Sequence, residues 1–176
     1  MSDHRAKLLA ILESHGARLH ALLTRLTLDQ DAAEDLLQDL YLKLDRAAGF
    51  PVATDPAAYA CRAAIHLAFD WQRGQARSMR SLSHDPIASP PSPLAALVHR
   101  EDMDKVLQAL AQLPALYRDC LVLHYLDQEP YEVISGLVGK TPHQVRALCH
   151  KALGRLRCLL KTPPSSVRIT PEGGIT

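Results

Sequence analysis

The chain has 176 residues, a net charge of +1, 47% apolar residues and 5% aromatic residues. This length suffices for one ordinary domain or two small ones, and an apolar content dominated by Leu and Ala favours helices over strands. The balanced charge argues against a chain that binds polyanions along its whole length. The charge is unevenly distributed, however, because residues 1–74 carry more acid than base while the charged residues of 140–161 are all basic.

The cysteines and the apolar runs indicate a cytoplasmic protein. The four cysteines form no CxxC pair, and a disulfide framework is not expected at this size. Residues 1–5 lack the apolar core of a signal peptide, and no apolar run approaches the roughly 20 residues that span a bilayer. We therefore expect a cytoplasmic location without membrane insertion.

The first half of the chain predicts three helices. Leucines recur at helical spacing between Leu8 and Leu26, and a second amphipathic helix begins near Asp31. A loop over residues 49–54 separates it from a third helix, which is expected over residues 56–73.

A change in composition after Gly74 predicts a linker. Residues 75–93 are rich in Ser and Pro, which oppose the continuation of a helix, and residues 162–176 have the composition of a disordered tail. The sequence therefore predicts an all-α protein with two small helical domains, residues 5–74 and 94–161, joined by a flexible linker.

The second domain predicts a helix-turn-helix. Two helices are expected over residues 94–126, with a break at Pro114. Farther on, Gly139 can adopt the positive φ that ends a helix, Thr141 can cap the next helix, and Pro142 suits the first position of that helix. The charged residues that follow are all basic, so this helix is a candidate for the DNA major groove.

A metal site or an enzyme is a weaker interpretation of the same residues. The tightest group of metal-ligating residues is His143, Cys149 and His150, but two helical turns separate the histidines and no fourth ligand is evident. The sequence also lacks a Gly-rich phosphate loop, a nucleophile elbow and an HExxH motif. We expect no catalytic residue, no metal and no cofactor.

Three motifs follow one another along the chain. They are the acidic amphipathic segment 31–41, the segment from Pro56-Ala57-Ala58-Tyr59 to Arg73, and Leu113-Pro114-Ala115-Leu116-Tyr117-Arg118 with the helix-turn-helix behind it. In this order and spacing they resemble the small two-domain bacterial sigma factors of the extracytoplasmic-function type, in the sigma-70 family. The resemblance implies an alternative sigma factor that directs promoter recognition and DNA opening. It also implies core RNA polymerase (its β′ and β subunits), promoter DNA and an anti-sigma factor as partners.

The resemblance implies that one face of the second helix docks on polymerase. The matching residues are Asp35, Gln38 and Asp39. Carboxylates and an amide on an exposed face suit a basic partner surface, whereas the alternative is an ordinary solvated helix face.

The resemblance also implies that the third helix and the loop before it read the −10 element. The candidate residues are Arg62, His66, Asp70, Trp71, Arg73 and Arg77, with Arg80 as a further phosphate contact. The arginines would neutralise phosphates, Trp71 would stack on an unpaired base, and the 49–54 loop would receive a flipped base. Core packing is the alternative for Trp71, Phe69 and Tyr59. The family usually has Asn at the position of His66, which puts the −10 sequence preference in question.

For the −35 element, the resemblance implies readout by the second helix of the helix-turn-helix. The candidate residues are Lys140, Thr141, His143, Gln144, Arg146, Ala147, His150 and Lys151. Val145 is expected to be buried beneath them. Arg pairs well with guanine and Gln with adenine. Val133 and Leu148 stand where the family usually has polar residues, which leaves open a sigma-like adaptor with weak or lost promoter activity.

Overall fold

Helices form every regular element in the part of the chain that the structure describes. The computed structural model describes residues 3–50, 52–81 and 94–161. The helices are α1 (Asp3–Thr27), α2 (Gln30–Arg46), α3 (Pro56–Ser81), α4 (Leu94–Ala111), α5 (Ala115–Leu121), α6 (Tyr131–Val138) and α7 (Pro142–Lys161). This confirms the predicted all-α class. None of the described helices is both long enough and apolar enough to cross a bilayer.

The first domain is a three-helix unit in which α1 packs on both α2 and α3. Its core is built from leucines of α1 together with the stripe Ala33, Leu36, Leu40 and Leu44 of α2, which repeats at helical spacing. Asp29 caps α2, because its Oδ1 accepts a hydrogen bond from the backbone N–H of Ala32 at 3.0 Å.

The third helix is longer than the sequence predicts. It continues through Gly74 to Ser81, so the predicted end near Arg73 is wrong. A glycine inside a helix costs only about 1 kcal/mol relative to Ala, and the first proline after it is Pro86, beyond the end of the helix. The remainder of the predicted linker, residues 82–93, and the whole predicted tail lie outside the described residues.

The second domain packs α4, α5 and α6 against α7. A π-helical turn over residues 122–126 continues α5. The inner face of α7 presents Val145, Cys149 and Ala152, all buried, and the Cys149 thiol donates to the carbonyl of Cys120 on α5 at 3.6 Å. These contacts set the position of the outer face of α7.

The two domains pack directly against one another. Helix α3 contacts α6 and the π-helical turn, and the buried apolar side chains of both domains form one continuous cluster. At the boundary, the guanidinium of Arg118 lies 4.5 Å from the centroid of the buried Phe69 ring. The sequence predicts the two domains but not this interface.

Gly139 provides a test of the turn between α6 and α7. Its φ of 65° lies in the left-handed region, so Gly139→Ala is expected to lower the free energy of unfolding by about 1 kcal/mol. Gly136 is the matched control, because it lies inside α6 and an added Cβ there meets no atom within 4 Å. Gly136→Ala should raise stability by up to about 1 kcal/mol. Denaturant unfolding measures both changes, and equal effects would contradict the role of Gly139.

Candidate polymerase and nucleic-acid interfaces

The predicted polymerase-docking residues share one exposed face of α2. Asp35, Gln38 and Asp39 are spaced i, i+3 and i+4, and all three are exposed. The opposite face of the helix carries its buried leucines, so the packing of α2 on α1 turns the acidic side outward. The surface is therefore free to meet a basic partner.

Sequence reasoning missed one residue of this face. Leu42 follows Gln38 by one helical turn and is 48% exposed. An exposed leucine that continues an acidic stripe adds an apolar contact to a charged surface, as interface centres commonly do. Leu42 lies outside the apolar spacing of α2, and this pattern could have identified it as an exposed residue from the sequence.

The loop before α3 is anchored at both ends. Phe50 is fully buried and packs against His4 and Tyr59. At the other end, the Oδ1 of Asp55 accepts from the backbone N–H of Ala58 at 2.9 Å and so caps α3. Between the anchors Val52 is 81% exposed. A fixed loop with an apolar exposed tip suits a surface that receives an unstacked base.

Arg62 and His66 both contact the second domain, so each side chain is only partly exposed to solvent. The Nε of Arg62 donates to Oδ2 of Asp119 at 3.0 Å, and the Nε2 of His66 lies 2.7 Å from the same oxygen. The Nη1 of Arg62 also donates to the carbonyl of Leu137 at 2.6 Å. The structure thus brings together two predicted −10 residues, but around a buried carboxylate.

The other predicted −10 residues lie farther along α3. Asp70 and Arg73 are exposed and form an ion pair with each other, and Arg77 is exposed, with its Nε donating to the carbonyl of Arg73 at 3.2 Å. Trp71 is half-buried against the core, so part of its ring remains accessible. Phe69 is fully buried, which confirms core packing for that residue. Tyr59 is partly buried and also packs on the core. The side chain of Arg80 lies outside the described part of the chain.

Helix α1 adds a second set of charged contacts between the domains. The Nε of Arg18 donates to Oδ1 of Asp127 at 2.8 Å, and its Nη2 donates to Oε1 of Glu129 at 2.6 Å. The Nη1 of Arg25 donates to the carbonyl of Leu126 at 2.9 Å. Sequence analysis missed these residues because none of the three motifs includes Arg18, Arg25, Asp127 or Glu129.

The interface shifts the proton affinities of the groups it contains. The hydrogen bond to Asp127 raises the pKa of Arg18 above its ordinary value, so its guanidinium stays charged. Burial raises the pKa of the Cys61 thiol, which hydrogen-bonds Asp127, and this thiol stays protonated. Burial lowers the pKa of Arg118 below its ordinary value.

The turn of the helix-turn-helix is closed by reciprocal hydrogen bonds. Gly139 ends α6 in the left-handed conformation, as predicted. The Oγ1 of Thr141 accepts from the backbone N–H of Gln144 at 3.2 Å, and the Oε1 of Gln144 accepts from the backbone N–H of Thr141 at 3.0 Å. This is a capping box, and it confirms Thr141 as the cap of α7. Gln144 therefore uses its amide oxygen locally and keeps its N–H donors for another partner.

The outer face of α7 is a continuous exposed surface. The exposed residues of this face and of the turn before it include all the predicted −35 residues: Lys140, Thr141, His143, Gln144, Arg146, Ala147, His150 and Lys151. From position 143 onward, five of them repeat at i, i+3, i+4, i+7 and i+8, the spacing of one helix face. Val145 lies on the opposite side and is fully buried, as predicted.

Two arginines of α7 lie over tyrosine rings. The guanidinium carbon of Arg146 is 5.9 Å from the ring centroid of Tyr131, the first residue of α6. That of Arg155 is 4.8 Å from the ring centroid of Tyr117 on α5. Such contacts restrict a long side chain and orient it without neutralising its charge. Arg146 is thereby held at the edge of the exposed face.

The residues considered for a metal site do not meet. Cys149 is buried in the core, whereas His143 and His150 are exposed. Among the described residues, no group of three or more His, Cys, Asp or Glu side chains is placed to hold a metal ion.

Comparisons with known proteins match both domains to one family. The family profile described as Sigma-70 region 2 matches residues 11–78, and the profile described as Sigma-70, region 4 matches residues 103–156. The chain is also similar to the RNA polymerase sigma factor CarQ of Myxococcus xanthus. The identity is 29% over 147 residues, which cover 83% of this chain and 84% of CarQ.

A solved structure has a similar fold. It is the sigma factor RpoE from Bartonella quintana in complex with the anti-sigma factor NepR. The TM-score is 0.50 at 23% identity, and the match covers 93% of this chain and 100% of that chain. The two profiles, the similarity to CarQ and the all-α fold agree. The chain therefore belongs to the sigma-70 family as an alternative sigma factor of the extracytoplasmic-function type, which binds core RNA polymerase and directs promoter recognition and DNA opening at the start of transcription.

Proposed function

We propose that three separate faces of this sigma factor bind polymerase, the −10 element and the −35 element. The observation that carries the proposal is the basic outer face of α7, which is exposed to solvent. The capped turn at Thr141 fixes the start of this helix. An exposed helix face with several basic residues and no acid is suited to the major groove and its flanking phosphates. Its location in the second domain leaves the first domain for the other two contacts.

The acidic face of α2 is the polymerase-docking surface. Asp35, Gln38 and Asp39 supply charge and hydrogen-bond acceptors, and Leu42 adds apolar area beside them. A basic helical surface on the β′ subunit would complement this combination. Polymerase supplies the catalysis, and the assembly acts in the cytoplasm.

Helix α3 and the 49–54 loop read the −10 element on the separated strand. Arg73 and Arg77 are exposed toward phosphates, and Trp71 offers the accessible part of its ring to a base. Arg62 and His66 lie nearer the loop and complete this surface when they are not paired with Asp119.

An anti-sigma factor is the proposed regulatory partner. RpoE of Bartonella quintana is bound to the anti-sigma factor NepR. A partner of that kind would act on this chain by covering the α2 face or the outer face of α7.

Asp39→Arg tests the docking face. The substitution reverses a charge at an exposed contact. The affinity of the variant protein for core polymerase is therefore expected to fall about tenfold or more. Glu101→Arg on α4 is the control, because it changes the net charge equally at an exposed site far from α2 in the sequence. Binding of the purified variants to core polymerase measures the effect. Equal affinities for the two variants would contradict the assignment of α2.

Arg146→Ala tests the −35 assignment. Losing one good base contact is expected to cost about 1–3 kcal/mol and to relax the base preference at one position. Arg155→Ala removes the same charge from the same helix, but about two and a half turns away on the opposite side, over Tyr117. Transcription with core polymerase on a library of −35 sequences measures both variants. If neither variant changes the preferred sequence, α7 does not read the −35 element. If the wild-type protein starts no promoter-specific transcription at all, a sigma-like adaptor is favoured.

Gln144→Glu separates capping from base recognition. Glu also serves in a capping box, so the stability of the second domain should change by less than about 0.5 kcal/mol. Glu lacks the amide donors and adds a charge that phosphates repel, so −35-dependent transcription should fall. Gln144→Ala should lower both quantities. Normal transcription by the Glu variant would show that Gln144 acts only as a cap.

A further inference from the structure

We propose that two aromatic residues outside α7, His124 and Tyr131, sharpen the −35 base preference of this sigma factor by orienting Arg146. The inference rests on the −35 role proposed for α7, because Arg146 must contact a base for its orientation to matter. Arg146 touches the DNA, whereas the two aromatic residues are positioning residues that act through it. Guanine is the base that a guanidinium fits best, since its O6 and N7 accept a bidentate pair of hydrogen bonds.

The Tyr131 ring restricts Arg146 before any DNA is bound. Arg146 is exposed on the outer face of α7, and a long exposed side chain loses rotamer freedom when it binds a base. The ring centroid of Tyr131 lies 5.9 Å from the guanidinium carbon, so part of that freedom is already lost in the free protein. Because an aromatic ring accepts no strong hydrogen bond, the guanidinium keeps its N–H donors for a base.

The Tyr131 ring is itself held by the imidazole of His124. The two ring centroids are 4.2 Å apart and the ring planes differ by 24°, so the rings are stacked. Both side chains are only partly buried, which places the stack at the surface of the domain. An aromatic partner that covers one face of a ring limits the rotamers open to that ring. His124 therefore fixes the side chain that Arg146 contacts.

His124 is anchored in turn by a reversal of the chain. A backbone hydrogen bond of 3.0 Å closes the π-helical turn over residues 122–126. Gln128 then adopts a left-handed φ of 60°, and the carbonyl of Glu129 comes to lie 2.9 Å from Nδ1 of His124. Because a carbonyl oxygen only accepts hydrogen bonds, Nδ1 carries the proton and donates it. The imidazole is thus held in one orientation by the backbone.

The position of Tyr131 suits a residue that orients a groove contact. Helices α6 and α7 are joined by the turn at Gly139, and Tyr131, at the far end of α6, contacts α7 near its start. In helix-turn-helix proteins the first helix crosses the DNA backbone while the second enters the major groove. A ring on the first helix can therefore orient a side chain of the second without occupying the groove.

A second pair of arginine and tyrosine in the same domain supplies a matched control. The guanidinium carbon of Arg155 lies 4.8 Å from the ring centroid of Tyr117, and Tyr117 is partly buried, as Tyr131 is. Arg155 lies on the opposite side of α7 from Arg146. Tyr117→Leu therefore removes an equivalent contact away from the face that is proposed to read the −35 element.

Tyr131→Leu tests the positioning role in the full-length protein with core polymerase. Transcription is measured on promoters that carry each base at each −35 position, and the position read by Arg146 is the one at which Arg146→Ala loses its preference. There, the preference of Tyr131→Leu for the favoured base should fall about two- to fivefold, the range expected for an exposed cation–π contact. Preference at the other positions should stay unchanged, a pattern that a loss of stability alone would not produce.

Further variants separate the ring from its neighbours. Tyr131→Phe keeps the ring and should keep the wild-type preference, whereas a loss there would show that the hydroxyl acts and would overturn the positioning role. His124→Ala should lower the preference about twofold, and His124→Phe, which can still stack, should restore it; no effect of His124→Ala overturns the role of His124. This pair replaces Tyr131→Leu if circular dichroism shows that Tyr131→Leu is misfolded. Tyr117→Leu should leave the base preference unchanged.

The outcomes separate this inference from the proposed function. If Arg146→Ala changes no base preference, the −35 role of Arg146 is overturned and the positioning role with it. If Arg146→Ala changes the preference but Tyr131→Leu does not, only the positioning role is overturned. Adding Tyr131→Leu to Arg146→Ala should cause no further change in preference, because the ring acts through the arginine. A further loss in the double variant would show that Tyr131 acts independently and would overturn the inference.

Discussion

The burial of the Asp119 carboxylate is the interaction on which the arrangement of the two domains depends. A carboxylate without solvent must be neutralised and hydrogen-bonded. Arg62 of the first domain supplies the positive charge, and Arg62 and His66 supply the hydrogen bonds. The same contact therefore orders the domains and engages two of the residues that we propose for the −10 surface.

The two domains differ in how their functional faces are supported. The outer face of α7 is rigidly held, because Val145 and Cys149 anchor its inner side and the Thr141–Gln144 capping box closes its first turn. Two of the proposed −10 residues, Arg62 and His66, are instead held at the interface between the domains by partly exposed contacts with Asp119.

Local patterns carried most of the predictions that the structure confirms. Gly139, Thr141 and Val145 were assigned correctly because a positive φ, a cap and a buried helix position each depend on a few neighbouring residues. The predicted end of α3 is wrong because the composition changes at Gly74 and this change was taken as the end of the helix. The chain remains helical up to Ser81. Composition averages over a window, whereas a helix ends at a particular residue.

The interface between the domains was beyond prediction from one sequence. Arg18 and Asp127 are 109 residues apart, and neither belongs to a motif that indicates its partner. Asp119 follows Arg118 at the end of a recognised motif, yet nothing in the motif shows that its side chain is buried. Contacts of this kind depend on the packing of complete domains, so the accessibility of Arg62 and His66 could be judged only from the structure.

The distance between the domains with and without the Asp119 carboxylate tests the role of this contact most directly. Spin labels on the exposed Cys158 of α7 and on Ser14→Cys, an exposed site on α1, would report it by pulsed electron paramagnetic resonance, since the other cysteines are buried. Packing of the domains around Asp119 predicts one narrow distance distribution in the wild type and a broader one in Asp119→Ala, which lacks the carboxylate that joins the domains. The same distance distribution in both proteins would show that the Asp119 contact does not set the arrangement of the domains.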